Sequence, residues 1–301
     1  MTIPAIDGLP KKFVEVIGAA HGEAGWQWLE RGLPLTIAEV EKEWDVRCGR
    51  PYENLSYHFV APCEFADGSE AVIKIGFPEP DSPMPNEAAV LTAYAGRGAV
   101  NVLRHDPTRF ATLLEKIDPG KSLKTCFQND PRSAVDVAVQ LLKRLGRIDA
   151  GPAQFAKLYD WIAAMDERKR IEFPSAPIDK AVRFYNDLSR QPAFLIHGDF
   201  HHDNILSATR EPFLVIDPKG LLGHLWYETS VFLNNHANWL GPSRQAEVLL
   251  AADAFAAEFD IDALVLRRGA YIQAVLSAYW TCEENTEAWR NEVSLAEIWQ
   301  V

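Results

Sequence analysis

The first third of the chain passes from helical to strand-like hydrophobic spacing. Residues 9–44 carry apolar positions at three- and four-residue intervals interrupted by glycines, which predicts two or three short helices. The segments SYHFVAPCEF and EAVIKI then flank the turn ADGS, where Asp67 and Gly68 suit the positive φ angles of a tight turn. This second pattern predicts a β-hairpin.

A proline-rich stretch, GFPEPDSPMP, separates the hairpin from the next helix. Asn86 is a favourable N-cap, so we expect the helix EAAVLTAYA to begin after it and to stop at Gly96. Two further strands, VNVLRHD and RFATLLEKI, are predicted to follow.

The spacing becomes mainly helical after residue 121. SAVDVAVQLLKRLGRI, FAKLYDWIAAMDERKR and DKAVRFYNDLSRQ are amphipathic, one strand pair (AFLIHGD and PFLVIDPKG) interrupts them, and the helical pattern resumes at Trp226. The chain is therefore predicted to be α+β, with a small sheet-bearing domain at 1–117 and a helical domain at 118–301.

Composition narrows the class of partner. Of 301 residues 48% are hydrophobic, and 42 acidic against 30 basic side chains give a formal net charge of -12. This balance argues against a nucleic-acid-binding protein and is compatible with a cationic small molecule. The four cysteines form no C-x-x-C pair, and neither an export signal nor an apolar run of about 18 residues is present. We expect a cytoplasmic protein with reduced thiols and no membrane partner.

The segment HGDFHHDN supports two kinds of chemistry. One is a zinc hydrolase site, since His197, Asp199 and His201 would share one side of an extended segment and imidazole and carboxylate bind zinc. His202 and Asp203 could add to such a site, but the remaining histidines offer no H-x-x-x-H pair. The zinc site remains a remote alternative.

The other chemistry is phosphoryl transfer. It needs an aspartate near the acceptor hydroxyl, with an asparagine and a second aspartate for magnesium. Asn204 follows Asp199 by five residues, and the predicted hairpin ILSATREPFLVI would return Asp217 beside Asn204.

A lysine for nucleotide phosphates is available upstream. Lys74 shares a strand face with Val72, so one side chain can reach phosphate while the other covers a purine. Glu87, thirteen residues further on, could orient the ammonium. The alternatives are an edge-strand lysine and a favourable anion at a helix N-terminus.

These motifs together resemble a known family. HGDFHHDN resembles the H-G-D-x-x-x-x-N motif of aminoglycoside phosphotransferases, and IDPKG lies where they carry a metal-binding aspartate. AVIKI, NEAAVLTAYAGRGAV, LLEKIDPGKSL and FLVIDPKGLLGHLWYE are similar to the streptomycin kinase and hydroxyurea phosphotransferase branch, over about residues 44–240. The resemblance implies a two-lobed, protein-kinase-like fold with an antiparallel sheet in the small N-lobe and a larger helical C-lobe.

The resemblance also implies roles for single residues and the use of ATP and Mg²⁺. Asp199 would be the catalytic base, and Asn204 and Asp217 the magnesium ligands. Lys74 would hold the nucleotide phosphates and Glu87 would orient it. The residues from Glu115 to Ile117 would hydrogen-bond adenine through their backbone, and His197 would organise the loop.

Three departures from kinase patterns concern the phosphates. The expected glycine-rich loop is replaced by CGRPYENLSYHFV, which leaves Asn54, Leu55, Ser56 and Tyr57 as candidates for phosphate contact. Pro218-Lys219 follows the metal aspartate, so Lys219 either holds phosphate or is solvated. His201 stands where protein kinases carry lysine and supplies less fixed charge.

The predicted function is phosphorylation of a hydroxyl on a small, cationic acceptor, streptomycin-like or hydroxyurea-like. Candidate acceptor contacts are Glu283, Glu284, Glu287 and Glu292, for which a solvated helix face is the alternative. A sugar or amino-alcohol kinase and a non-catalytic nucleotide-binding pseudokinase are the alternative functions.

Overall fold

The computed structural model describes residues 8–79, 84–148, 155–167, 172–188, 193–283 and 288–301. By its internal contacts the chain forms two compact units. The first unit comprises Met1–Gly96 and Val100–Ile117, and the second comprises Arg97–Ala99 and Asp118–Val301. In the described residues no helix is long and apolar enough to cross a membrane.

The first unit begins with the predicted helices. Helix α1 (Lys11–Gln27) and helix α2 (Leu33–Trp44) are joined by a π-helical turn at Trp28–Gly32. Gly22 interrupts α1 with a φ of 55°, a backbone conformation that glycine adopts without steric cost. The glycine-interrupted pattern therefore produces two helical segments rather than one long helix.

A five-stranded antiparallel sheet follows. Its strands are β1 (Val46–Cys48), β2 (His58–Phe65), β3 (Glu70–Gly76), β4 (Val102–Asp106) and β5 (Ala111–Glu115), in the order β1-β2-β3-β5-β4. The predicted β2–β3 hairpin is confirmed: Gly68 has a φ of 83°, and Asp67 Oδ1 accepts hydrogen bonds from the Ser69 backbone N–H and hydroxyl. The turn chemistry of this segment fixes the register of the two strands.

The two faces of this sheet differ because strand side chains alternate. On one face Phe59, Ile73 and Leu113 pack with Phe13 and Trp44 of the helices to form the core of the unit. Val72 and Lys74 alternate with those core positions on β3 and therefore lie on the other face. The sheet thus separates the apolar core from the candidate chemistry.

Helix α3 (Met84–Tyr94) begins earlier than the sequence predicts. Asn86 lies inside its first turn, so the prediction that Asn86 is the N-cap is wrong. Pro85 explains the earlier start, since its missing N–H is not needed in the first turn and its fixed φ suits a helix. The end is as predicted, with Gly96 in a positive-φ conformation (74°).

The second unit is mainly helical. Its helices are α4 (Leu123–Cys126), α5 (Pro131–Leu145), α6 (Leu158–Asp166), α7 (Ser175–Leu188), α8 (Leu225–Leu240), α9 (Gln245–Phe259), α10 (Ala263–Glu283) and α11 (Trp289–Ala296). Trp226 of α8, Phe255 of α9 and Leu266 of α10 are completely buried. The predicted α+β character of the chain is confirmed.

Two small sheets accompany these helices. One orders β10 (Phe213–Val215), β9 (Ile205–Ala208) and β6 (Pro119–Ser122), all antiparallel. The other orders β7 (Ala156–Lys157), β11 (Leu221–Gly223) and β8 (Phe194–Ile196).

The predicted strand pair AFLIHGD and PFLVIDPKG is wrong in its partners. Strand β8 pairs with β11, whereas β10 pairs with β9. The short connection between β9 and β10 closes a local hairpin, as the segment ILSATREPFLVI predicts. In this hairpin β10 forms its hydrogen bonds with β9 rather than with β8. Strand β8 pairs instead with β11, which follows Asp217 in the chain.

Candidate active site

Lys74 and Glu87 form a buried ion pair in the first unit. Lys74 Nζ lies 2.7 Å from Glu87 Oε2, and the two residues are only 5% and 3% exposed. Lys74 stands on the central strand β3, opposite Val60 and Thr112, while Glu87 lies in the first turn of α3. The structure therefore brings together the two side chains that the sequence predicts as partners, and the pair fixes the direction of the ammonium.

The other predicted nucleotide contacts of this unit differ in exposure. Val72 is half-buried on the same face as Lys74, and Ile117 is half-buried after β5. Glu115 uses its carboxylate locally, since Oε2 accepts hydrogen bonds from the backbone N–H (3.1 Å) and the side-chain amide (2.8 Å) of Asn101. Ser56 is exposed in the segment between β1 and β2. The Glu115 backbone N–H also donates to the Asn101 backbone oxygen, at 2.9 Å, so both the carboxylate and the N–H of Glu115 bind Asn101.

The catalytic-loop candidates converge in the second unit. Asn204 Nδ2 donates to the backbone oxygen of Asp199 at 3.0 Å and lies 3.4 Å from Asp199 Oδ2. The backbone N–H of Ile216 donates to the backbone oxygen of Asn204 at 3.0 Å. Asp217 therefore directly follows a residue that is hydrogen-bonded to Asn204. Asp217 has a φ of 59°, unusual for a residue with a side chain and typical of strained functional positions.

His197 is wholly buried under this loop. Its Nδ1 accepts the backbone N–H of Asp199 (3.2 Å), so Nε2 carries the proton and donates to the Ile216 oxygen (2.9 Å). Burial lowers the pKa of His197 to about 4, which keeps the ring neutral at physiological pH. The ring joins the segment of Asp199 to the segment of Asp217, and both nitrogens are occupied by backbone groups.

Glu228 supports the same loop and is not among the residues that the sequence predicts. Its Oε1 accepts the backbone N–H of His197 (2.8 Å) and its Oε2 that of Gly198 (2.9 Å). Burial raises the pKa of Glu228 to about 7, against the lowering effect of the two backbone hydrogen bonds. Gly198 adopts a φ of 78°, and the paired carboxylate oxygens hold this turn in place. An acidic residue within the otherwise uncharged LWYETSVF is the sequence signal that could have identified Glu228.

Two basic side chains approach the Asp199 carboxylate. Lys219 Nζ lies 3.4 Å from Oδ1, and His201 Nε2 lies 3.8 Å from Oδ2. His201 Nδ1 accepts the backbone N–H of Asp203, which fixes the ring orientation. Both residues that depart from the usual kinase pattern thus lie near the Asp199 carboxylate, although Lys219 is also exposed to solvent.

An aromatic corner adjoins Lys219. Lys219 Nζ lies 5.8 Å from the ring centroid of Trp280, and the Trp161 and Trp280 rings meet edge to face at 5.0 Å. Trp161 also contacts the buried Tyr227 ring, and burial together with the nearby Asp199 charge raises the pKa of Tyr227. Trp161 and Trp280 are half-buried, so part of each ring remains available to a bound molecule. Sequence reasoning assigned no role to these two residues.

The predicted acidic acceptor contacts are less well defined. Glu283 is exposed at the end of α10, and Glu284 and Glu287 lie outside the described residues. Both carboxylate oxygens of Glu292 lie 3.0 Å from the Thr281 hydroxyl.

The zinc alternative finds no support in the described part of the chain. No group of three histidine, cysteine, aspartate or glutamate side chains there could hold a metal ion by itself. His202, the last histidine of the motif, is buried, with Nε2 3.1 Å from Nδ1 of His236 and its ring stacked on Phe232. The histidines of HGDFHHDN therefore serve the loop rather than a common metal centre.

Comparisons with known proteins identify the family of this chain. Residues 48–285 match the family model described as aminoglycoside/hydroxyurea antibiotic resistance kinase. The chain is 30% identical to a hydroxyurea phosphotransferase of Kitasatospora aureofaciens, over 98% of this chain and 87% of the relative. It is 30% identical to a streptomycin 6-kinase of Streptomyces glaucescens, over 71% of each chain.

A solved structure extends the comparison to the fold. An aminoglycoside phosphotransferase, crystallised as a ternary complex with ADP and hygromycin B, aligns with a TM-score of 0.61 at 14% identity, over 87% of this chain and 97% of the other. This likeness shows a protein-kinase-like fold. Because the family model spans well over half of its residues, the chain belongs to the aminoglycoside/hydroxyurea antibiotic resistance kinase family.

Proposed function

We propose that this protein transfers the γ-phosphoryl group of ATP, with Mg²⁺, to a hydroxyl of a small cationic acceptor that is streptomycin-like or hydroxyurea-like. The observation that carries the proposal is the convergence of Asp199, Asn204 and the Asp217 segment in one hydrogen-bonded loop. Phosphoryl transfer needs these three residue types together, whereas a purely structural loop does not. The names of the curated relatives, a hydroxyurea phosphotransferase and a streptomycin 6-kinase, support the reaction class.

Asp199 is the proposed catalytic base. Its carboxylate accepts or positions the proton of the acceptor hydroxyl as the new P–O bond forms. Asn204 holds the Asp199 backbone, and Glu228 holds the turn just before it, so the carboxylate is oriented before substrate arrives. This fixed geometry is the main catalytic contribution of the loop, since phosphoryl transfer depends on placement and charge neutralisation.

The proposed magnesium ligands suit that ion. Mg²⁺ prefers oxygen, and the Asp217 carboxylate and Asn204 Oδ1 provide it. The Asn204 amide is oriented by its Nδ2 donation to Asp199, which directs Oδ1 away from that contact. When bound, Mg²⁺ would neutralise charge on the nucleotide phosphates.

Nucleotide binding is assigned to the first unit and its neighbouring residues. Lys74, oriented by Glu87, is proposed to hold phosphate oxygens, and Val72 to cover the purine. The backbone of Glu115 and Ile117 is proposed to bind adenine, and Ser56 to contact phosphate. His197 supports the loop, while Lys219 is proposed to supply positive charge and His201 a hydrogen bond near Asp199 and the transferred phosphoryl group.

The aromatic corner is the proposed wall of the acceptor site. Trp161 and Trp280 contact each other and offer apolar ring surface next to Lys219, whose ammonium approaches Asp199. Aromatic faces bind both cationic groups and the apolar face of a sugar ring. Glu283, Glu284 and Glu287 are proposed to add negative charge for a cationic acceptor.

The test is ADP release from the purified protein with ATP and Mg²⁺. The acceptor panel contains streptomycin, other aminoglycosides, hydroxyurea, a sugar and small amino alcohols. We expect turnover with one acceptor class and its loss, by at least a hundredfold, in Asp199→Asn. Asp203→Asn is the matched control, because Asp203 lies in the same loop but is exposed.

The outcomes separate the competing functions. Unaltered turnover in Asp199→Asn would remove Asp199 from the mechanism. Nucleotide binding without turnover on any acceptor would favour a pseudokinase, and phosphorylation of a sugar or amino alcohol alone would favour a metabolic kinase. Zinc-dependent, ATP-independent hydrolysis would revive the metallohydrolase.

A further inference from the structure

Two cysteines lie side by side in the first unit, outside the proposed active site. Cys48 on β1 and Cys63 on β2 are directly opposite each other in the antiparallel register, and their Sγ atoms are 3.4 Å apart. Cys63 belongs to the core face that packs against the N-terminal helices, whereas Lys74 lies on the other face of the sheet. This pair is therefore separate from the Lys74–Glu87 site.

The backbone around the cysteines defines the type of strand pair. The Cys48 N–H donates to Glu41 Oε1 at 2.7 Å instead of to β2, and the Gly49 N–H donates to the Pro62 oxygen at 2.7 Å. Cys48 and Cys63 consequently form a non-hydrogen-bonded pair, in which opposite Cα atoms lie about 4.5 Å apart and side chains approach most closely. That separation falls within the range of roughly 4.4–6.8 Å in which disulfides occur.

We propose that Cys48 and Cys63 are a reversible oxidation site that takes hydrogen peroxide as its oxidant and forms an intramolecular disulfide. The sulfurs need to approach by only about 1.4 Å to reach bonding distance, about 2.05 Å. Cys48 is half-buried and Cys63 only 3% exposed, so a small oxidant reaches the pair more readily than a bulky disulfide does. Because the two cysteines are directly opposite each other, the thiol that completes the disulfide already contacts the thiol that is oxidised first.

The chemistry balances with peroxide alone. One sulfur attacks the O–O bond, which gives a sulfenic acid and one water. The second thiol then displaces the sulfenic hydroxyl as a second water, and the S–S bond forms. Two thiols and one hydrogen peroxide thus give one disulfide and two waters, and an added dithiol reverses the change.

The surroundings make Cys63 the more acidic of the two thiols. The hydrogen bond with Cys48 lowers the pKa of the Cys63 thiol. The contact with Cys63, burial and the Glu41 carboxylate hold the pKa of Cys48 well above its usual range. A thiolate attacks peroxide, and the neighbouring thiol supplies the proton for the departing water.

The experiment uses the full chain carrying Cys126→Ser, which removes the exposed thiol that could link two molecules. The folded protein is treated with hydrogen peroxide, alkylated and digested, and its peptides are analysed by mass spectrometry. We expect a linked peptide containing Cys48 and Cys63, with a loss of about 2 Da, that disappears after dithiothreitol. Recovery of both cysteines as alkylated thiols or as separate sulfinic acids would overturn the proposal.

Two controls keep the result specific. Cys282 is buried on α10, so it tests whether peroxide enters buried sites in general, and we expect it to remain a thiol. Cys48→Ser should abolish the link and leave Cys63 as a thiol or a higher oxide. A linked peptide that joins Cys63 to Cys282 instead would show unfolding during oxidation and would count against the proposed site.

Discussion

Glu228 hydrogen-bonds directly to the backbone of the proposed catalytic loop. Its two carboxylate oxygens accept the N–H groups of His197 and Gly198 in a wholly buried position. Removing both acceptors leaves two buried donors without partners, each costing about 1–3 kcal/mol. The carboxylate therefore stabilises the loop even though its own charge is expensive to bury.

The raised pKa of Glu228 gives a pH-dependent prediction. Between about pH 4.5, its unfolded value, and about pH 7 the folded protein binds a proton that the unfolded chain does not. The free energy of unfolding therefore falls as pH rises through this range, by about 3 kcal/mol at most from this one group. We expect Glu228→Gln to lack that component, as measured by urea unfolding of both proteins from pH 5 to pH 8.

This experiment has a control variant and an outcome that would contradict the prediction. Glu283→Gln removes an exposed acid from the end of α10, so its curve should run parallel to that of the wild type. Parallel curves for Glu228→Gln as well would show that Glu228 is already ionised throughout the range.

At this scale the sequence predicted residues whose chemistry shows in a local motif. The five-residue spacing of Asp199 and Asn204 and the hairpin before Asp217 bring these segments together as expected, although their roles stay predictions. Glu228 was missed because its partners are backbone groups about thirty residues away, and no spacing rule connects them. Trp280 was missed because an apolar position on a helix predicts core packing equally well.

A buried ion pair, Lys74 with Glu87, links strand β3 to helix α3. Removing one member of such a pair typically costs 3–5 kcal/mol, because the other charge loses its partner. We expect Lys74→Met to lose both turnover and about that much stability. The double variant Lys74→Met with Glu87→Leu should recover most of the stability but none of the activity.

Urea unfolding and ADP release measure the two effects separately. An active double variant would remove Lys74 from nucleotide binding, whereas a Lys74→Met protein as stable as the wild type would show that the pair is not buried in solution. Val72→Ala, on the same strand face, is the control for simple loss of packing.

A second contact between elements joins the catalytic loop to α8. His202 stacks on Phe232, and its Nε2 meets His236 Nδ1. Burial lowers the pKa of His202 to about 2 and that of His236 to about 4, so the folded protein keeps both rings neutral. Below pH 6.5 these two histidines bind protons in the unfolded chain but stay neutral in the folded chain. The free energy of unfolding therefore falls as pH falls.

This contact gives a prediction for acid denaturation. His236→Gln retains a polar partner for His202 but binds no proton, so it should lose less stability than the wild type between pH 6.5 and pH 4. The expected difference is about 1–3 kcal/mol, measured by urea unfolding across that range. The same loss in both proteins would mean that His236 opens to solvent before it titrates. His21→Gln in the first unit is the control.

One helix start and one strand pairing were predicted wrongly, because a neighbouring residue or strand outweighed the local sequence pattern. Asn86 is a good cap in isolation, but Pro85 extends the helix past it to Met84. The apolar run FLI correctly predicts strand β8. Its partner could not be predicted, because β10 pairs with β9 in a local hairpin and β8 pairs with β11 instead. Local patterns gave the elements, and longer-range pairing could not be read from them.

The whole chain carries a net charge of -12 and forms two compact units, each with part of the proposed machinery. The family and the protein-kinase-like fold could be predicted because several motifs occur in the expected order along the chain. The acceptor could not be predicted, since an acidic helix face is equally suited to solvent and aromatic rings suit more than one class of ligand. The domain boundary after residue 117 stays a prediction.

A nucleotide that binds only the folded chain must stabilise the molecule as a whole. At a concentration one hundred times its dissociation constant it adds about 2.7 kcal/mol, which corresponds to a rise in melting temperature of roughly 5 °C. We expect ADP with Mg²⁺ to produce this rise in the wild type and in Asp199→Asn, because the proposed role of Asp199 concerns the acceptor and not the nucleotide. In Asp217→Asn, and in the wild type with EDTA, the magnesium-dependent part should disappear. A shift that survives both treatments would show that the nucleotide binds without a metal at Asp217, and thermal denaturation of the three proteins side by side decides between these outcomes.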